Sequence, residues 1–231
     1  MTPHTPNSAT NKADDFIAPI CHEAIEILYQ DEAILLINKP SGLLSLSGKN
    51  PANLDSVHYR LVQDFPTALM IHRLDLGTSG IMVLALNKTI NAQLCRQFSE
   101  RTVTKTYTAL LNGKLPDQDG TIDIPIIKDL QNFPYQKVCY QTGKPAQSTY
   151  HSLEYLPELD ATRVTFTPLT GRTHQLRIHS QAFGHPILGC DLYAPKEIGK
   201  KAKRLMLHAT TLTFDHPVSG KNIEAKSPSP F

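Results

Sequence analysis

The segment His72-Arg73-Leu74-Asp75-Leu76-Gly77-Thr78-Ser79-Gly80 sets a carboxylate two residues after an arginine and just before an apolar run over 81–86. A carboxylate at the point where a loop enters a core strand can be aimed by a rigid scaffold. Asp75 is therefore a candidate nucleophile, general base or metal ligand. The competing reading is structural: Asp75 caps the turn through Thr78 or Ser79. A second candidate is Thr170-Gly171-Arg172-Thr173-His174-Gln175-Leu176-Arg177-Ile178-His179. Arg172 and Arg177 there suit phosphate or carboxylate binding, or form an ordinary surface pair. His72, His174, His179, His185 and His208 raise a metal alternative, although their spacing fits neither H-E-x-x-H nor H-x-E…C-x-x-C.

The elements that must position these residues follow from periodicity. Ile34-Leu35-Leu36-Ile37 reads as a buried strand ending at the turn Lys39-Pro40-Ser41-Gly42. Asp55 is placed to cap a helix with Val57, Leu61 and Phe65 on its apolar face. Ile90, Leu94 and Phe98 predict a helix over 89–100. Alternation predicts a strand over 103–111 with Val103, Lys105, Tyr107, Ala109 and Leu111 on one face, where Tyr107 could be no more than a core aromatic. Residues 116–146 read as an irregular excursion with short strands, and 147–155 with 162–168 as a hairpin around 157–160. A helix after 170 should stop at Gly184, and strands fit 205–214 and 222–226. No βαβ repeat recurs. The expected fold is α+β, a mixed, mainly antiparallel central sheet with flanking helices and an active-site cleft.

Composition narrows the class. The 231 residues are 40% hydrophobic and 19% charged, as in a soluble globular protein. No apolar stretch reaches the roughly 18 residues of a membrane helix, and the polar N-terminus has no signal-peptide core, which predicts a cytoplasmic location. Residues 1–20 read as a disordered or extended tail and 21–231 as a single domain. Cys21, Cys95, Cys139 and Cys190 are dispersed, and read as reduced, mostly buried thiols. The net charge of +2 does not by itself indicate nucleic acid, but Lys196, Lys200, Lys201, Lys203 and Arg204 face a single acid, Glu197. That run is a candidate phosphate contact or a solvated surface. With no P-loop, no G-x-G-x-x-G and no G-x-S-x-G elbow, the sequence gives no support for a nucleotide cofactor or a serine nucleophile.

Taken together the motifs are more specific than any one of them. His72-Arg73-Leu74-Asp75-x-x-Thr78-Ser79-Gly80 resembles the signature of the RluA-type pseudouridine synthases. Asn38-Lys39-Pro40-Ser41-Gly42, Lys105-Thr106-Tyr107, Gly171-Arg172-Thr173-His174-Gln175-Leu176-Arg177 and Leu207-His208-Ala209 resemble further elements of that family, in family order. The segments 136–140, 142–147 and 184–189 bring the resemblance to a dual-specificity member. It covers roughly residues 25 to 231 and leaves no room for the N-terminal S4-type domain of many relatives.

The resemblance implies an isomerase that converts uridine to pseudouridine without a cofactor or metal. The implied substrates are a transfer RNA anticodon stem-loop and a 23S ribosomal RNA hairpin, bound by a monomer. It implies Asp75 as the catalytic carboxylate, with Arg73, Tyr107 and Arg177 as substrate-binding residues. Arg73 would fill the space left by the flipped base, and Tyr107 would stack on it. Arg177 should pair with Asp75, since a guanidinium within about 4–6 Å favours an ionised carboxylate. The alternatives are an RNA-binding or ribosome-assembly factor without turnover, a relative acting on another ribosomal uridine, and a His-rich metal hydrolase.

Overall fold

The computed structural model describes residues 16–231. In chain order its strands are β1 (Glu26–Gln30), β2 (Ile34–Lys39), β3 (Leu69–Met70), β4 (Ser79–Ala85), β5 (Thr104–Asn112), β6 (Asp119–Asp123), β7 (Ile126–Lys128), β8 (Gln136–Val138), β9 (Gln147–Leu156), β10 (Ala161–Pro168), β11 (Leu207–Asp215) and β12 (Asn222–Lys226). The α-helices are α1 (Val57–Leu61), α2 (Lys88–Glu100), α3 (Gln175–Ala182) and α4 (Lys196–Gly199). One sheet runs β1-β2-β4-β11-β5-β10-β9-β6, with β3 paired to β4 and β12 to β11. Every pairing in it is antiparallel except β4 with β11. This is the mixed, mainly antiparallel α+β arrangement expected from the pattern, with β7 and β8 forming a separate hairpin.

The core explains why the central strands read as unbroken apolar runs. β4 is buried along its whole length, and β2 except at Asn38. Alternate residues serve opposite layers, as strand geometry requires. Ile34, Leu36, Ile81, Val83 and Ala85 pack with Ile90 and Leu94 of α2. Leu35, Ile37, Met82 and Leu84 pack with Val57 and Leu61 of α1. A third cluster joins Ala109 and Leu111 of β5, Val164 and Phe166 of β10, and Leu176 of α3. Tyr107 packs against both the second and the third, so it stands at their junction.

Several expectations need correction. Asp55 does not cap α1. Ser56 does, accepting the Tyr59 N–H at 3.1 Å, while Asp55 pairs with Arg60 at 2.7 Å. The helix ends at Leu61, and Phe65 lies beyond it. Val103 precedes β5 and packs in the α2 layer rather than beside Tyr107. Of the four free cysteines, Cys190 is buried and Cys95 is exposed. The predicted tail falls mostly on residues 1–15, outside the described residues. Residues 16–20 have no helix or strand, yet Asn53 bonds Phe16 O at 2.6 Å and Ala18 N at 2.7 Å.

Candidate active site

Asp75 lies between β3 and β4, in a loop whose backbone is clamped from below. Lys39, fully buried at the end of β2, donates to Leu43 O at 2.7 Å, Pro40 O at 2.9 Å and Leu76 O at 3.2 Å. These bonds use all three ammonium donors. Burial nonetheless pulls the Lys39 pKa down to about 7, against the pull of Cys21 and Asp75. Ser41 Oγ donates to Gly77 O at 2.7 Å, and Gly42 N donates to Leu76 O at 2.8 Å. Ser45 Oγ donates to Leu74 O and accepts the Leu74 N–H. The turn closes through Thr78 N to Asp75 O at 3.1 Å, so Asp75 serves it with its carbonyl. The carboxylate is left partly open to solvent, 28% exposed.

The far side of the loop is fixed with equal care. Ser79 Oγ lies 2.8 Å from His208 Nδ1, and His208 Nε2 donates to Ser227 O at 3.1 Å. With the ring proton on Nε2, Nδ1 must accept from Ser79. Arg204 also reaches Ser79 Oγ. Gly80 follows at φ +115°, and a Cβ there would stand 2.2 Å from Ala209 O. Only glycine permits this approach of β4 to β11.

α3 brings the positive charge. Its face presents Arg177 Nη1 at 4.0 Å from Asp75 Oδ2, and His174, at its N-cap, places Nε2 3.9 Å from Asp75 Oδ1. Arg177 is 5% exposed and makes its direct ion pair elsewhere, with Nη2 donating to Asp191 Oδ1 at 2.5 Å. Its Nε donates to Cys190 Sγ at 3.4 Å, and the guanidinium lies 5.4 Å from the Tyr193 ring centroid. Burial disfavours the charge, but Cys190, Asp75 and Asp191 outweigh it and the Arg177 pKa ends above its ordinary value.

The remaining candidates divide. Tyr107 lies on β5, and burial together with the nearby Asp75 charge raises its phenol pKa well above the ordinary value. Arg73 is exposed beside the same loop. Arg172 donates to Pro145 O at 3.0 Å rather than joining Asp75. In the basic run, Lys196, Lys200 and Lys203 are exposed, while Lys201 bonds Asp160 and Asn112. The histidines are engaged separately: His72 stacks on Phe98, His179 bonds Ser148 and Ile124 O, and His185 bonds Asn112 O.

Asp191 and Tyr193 escaped the sequence reading because nothing in their spacing marks them. His174 falls within the Gly171–Arg177 motif and among the histidines of the metal alternative, and neither reading pairs it with Asp75. The proximity of Asp191 to the Gly184-His185-Pro186-Ile187-Leu188-Gly189 segment was the one available signal.

The arrangement sets a partly exposed carboxylate beside a buried guanidinium and a phenol. The chain is 49% identical over 205 residues to the dual-specificity RNA pseudouridine synthase RluA of Escherichia coli K12, covering 89% of this chain and 93% of that protein. It is equally identical to the RluA of Yersinia pestis, across 99% of that protein. Among solved structures, human RNA pseudouridylate synthase domain containing 1 superposes with a TM-score of 0.76 at 31% identity, covering 93% of this chain and 87% of that one. Residues 33–182, which include Asp75, Tyr107 and Arg177, match the family described as RNA pseudouridylate synthase, and the chain belongs to that family.

Proposed function

We propose that the chain isomerises specific uridines in two RNA classes, a transfer RNA anticodon stem-loop and a 23S ribosomal RNA hairpin, using Asp75 as the reacting carboxylate. The observation that carries this reading is the Asp75 carboxylate itself, clamped through its backbone and facing Arg177 and His174. The dual specificity of the 49% identical RluA relatives supports two substrates. Such RNAs place the enzyme in the cytoplasm, where it acts as a monomer.

The reaction breaks the bond between ribose C1′ and uracil N1, turns the base and joins C1′ to C5. C5 gives up a proton and N1 gains one, so no electrons are exchanged and no group donor is required. The uridine must first leave its stack, at a cost of a few kcal/mol. Arg73, exposed beside Asp75, fills the vacated space and holds the backbone. Asp75 attacks or deprotonates the extruded nucleotide, and Arg177 sets a buried positive charge 4.0 Å from its Oδ2. Tyr107 stacks on the base. Its phenol is protonated at neutral pH, and its hydroxyl can hydrogen-bond the turning base.

The test uses RNA carrying tritium at uridine C5, with no added cofactor. Wild-type protein releases tritium from both RNAs and Asp75→Asn releases none. Release by Asp75→Asn would end the assignment of Asp75. Binding without release by the wild type would favour an RNA-binding factor.

A further inference from the structure

His174 sits in an unusual place for a helix N-cap. Its backbone is left-handed, φ +57°, and its side chain makes no capping bond. Non-glycine residues rarely adopt this region, and the cost is accepted where surrounding structure imposes it. Here the neighbouring Gln175 imposes it. Gln175 Oε1 accepts from Thr170 Oγ1 at 2.7 Å and Arg172 N at 2.9 Å, and its Nε2 donates to Gln147 O at 3.0 Å and Ser148 Oγ at 2.9 Å. With all four amide bonds made, the start of α3 is fixed and His174 is turned toward Asp75.

The imidazole is held at both ends. Nδ1 lies 2.7 Å from Tyr193 Oη, and Nε2 faces Asp75 Oδ1 at 3.9 Å. Tyr193 Oη already accepts the Gln136 N–H at 3.0 Å, so its own proton is free to donate to Nδ1. An unprotonated Nε2 would set a lone pair against an anionic oxygen. The arrangement without that repulsion has Tyr193 donating to Nδ1 and the ring proton on Nε2, aimed at Asp75. Burial lowers the His174 pKa despite Asp75, which keeps the ring neutral.

We infer that His174 is a positioning residue for the reaction, supplying a neutral Nε2–H to one oxygen of Asp75 while Arg177 serves the other, with Tyr193 fixing the tautomer. This rests on Asp75 being the reacting carboxylate. Both gaps are about one ångström longer than a hydrogen bond, and such contacts commonly tighten when substrate binds. Two donors of unequal charge define the plane of the carboxylate and decide which lone pair meets the nucleotide.

The test compares kcat, KM and RNA affinity for wild type, Asp75→Asn, His174→Ala, His174→Gln and Tyr193→Phe, with the ring tautomer read by long-range proton–nitrogen NMR. His174→Ala should lower kcat by about 10- to 100-fold, which is about 1.4–2.7 kcal/mol, with KM and affinity nearly unchanged. His174→Gln returns an N–H near the Nε2 position and should recover most of the loss. Tyr193→Phe should lower kcat about tenfold, or about 1.4 kcal/mol, and weaken the Nε2–H tautomer signature. Wild-type kcat in His174→Ala, a change confined to KM, no recovery in His174→Gln, or an Nδ1–H ring in the wild type would each overturn the inference. Asp75→Asn separates the two readings: if it is inactive while His174→Ala turns over normally, only the role of His174 falls.

Discussion

Arg177 serves two aspartates on unequal terms: its Nη2 donates to Asp191 at 2.5 Å, while its Nη1 stands 4.0 Å from Asp75. The closer partner is 76% exposed. Asp191 therefore orients a buried guanidinium, while Asp75 keeps its oxygens free for the nucleotide. Removing the cation should cost far more than removing its anchor. Arg177→Met is expected to lower kcat more than about 100-fold, and Asp191→Asn less than about tenfold, the latter near one charge-assisted bond. Single-turnover tritium release checks the order. Equal losses would place Asp191 within the chemistry.

Tyr107→Phe keeps the ring and removes the proton. RNA affinity should stay within about threefold, because stacking survives. Turnover should fall by at least about 10²-fold, the usual size of a lost acid–base group. Undiminished turnover would reduce Tyr107 to a stacking platform.

The half-buried His72 predicts an acid limb in stability. Burial, with a contribution from Lys105, lowers its pKa to about 3, and its Nε2 accepts the Val83 N–H at 3.1 Å. The unfolded chain takes up this proton near pH 6.5, but the folded chain refuses it until about pH 3. Below pH 6.5 the unfolded state thus binds more protons, and stability falls as pH falls through that window. Above about pH 7 this group contributes no slope. His72→Gln retains an acceptor and removes the titration. Denaturant unfolding across pH should show its acid limb shallower by about 1.4 kcal/mol per pH unit, one proton's worth. An unchanged slope would contradict the burial of a neutral ring.

Two glycines separate backbone strain from steric clash. Gly42, at φ +83°, has open space where a Cβ would go, whereas the Gly80 Cβ would meet Ala209 backbone. Gly42→Ala should cost about 1–2 kcal/mol, the left-handed penalty. Gly80→Ala should cost several kcal/mol more, because β4 and β11 must separate. Thermal unfolding checks the ranking.

RNA affinity should fall as salt rises, since phosphate contacts release counterions. Neutralising Lys196, Lys200 and Lys203 together is expected to flatten that dependence. Lys201→Gln should change it less, because Lys201 is already bound to Asp160 at 3.3 Å. A triple variant with the original slope would remove this run from the RNA footprint.

Local pattern was enough for much of this molecule. The unbroken apolar runs of β2 and β4 announced strands buried on both faces. The four-residue recurrence of Ile90, Leu94 and Phe98 announced α2, whose cap, Asn87, accepts the Ile90 N–H. Asp75, Tyr107 and Arg177 were legible as members of ordered motifs. These signals are short-range: periodicity and motif order act through neighbours in the chain. The choice between Asp55 and Ser56 as cap turned on a nearby salt bridge that no pattern records.

What the tertiary structure decided was every relation between distant segments. That Lys39 ties Leu43 to Leu76, that Gly80 admits Ala209, and that Asp191 takes the direct bond to Arg177 depend on the side-by-side pairing of β2, β4 and β11 and the approach of α3. The same holds for His174, whose role turns on a few ångströms and one tautomer. A hydrogen bond is set by distance and direction, and a sequence carries neither until the chain has folded.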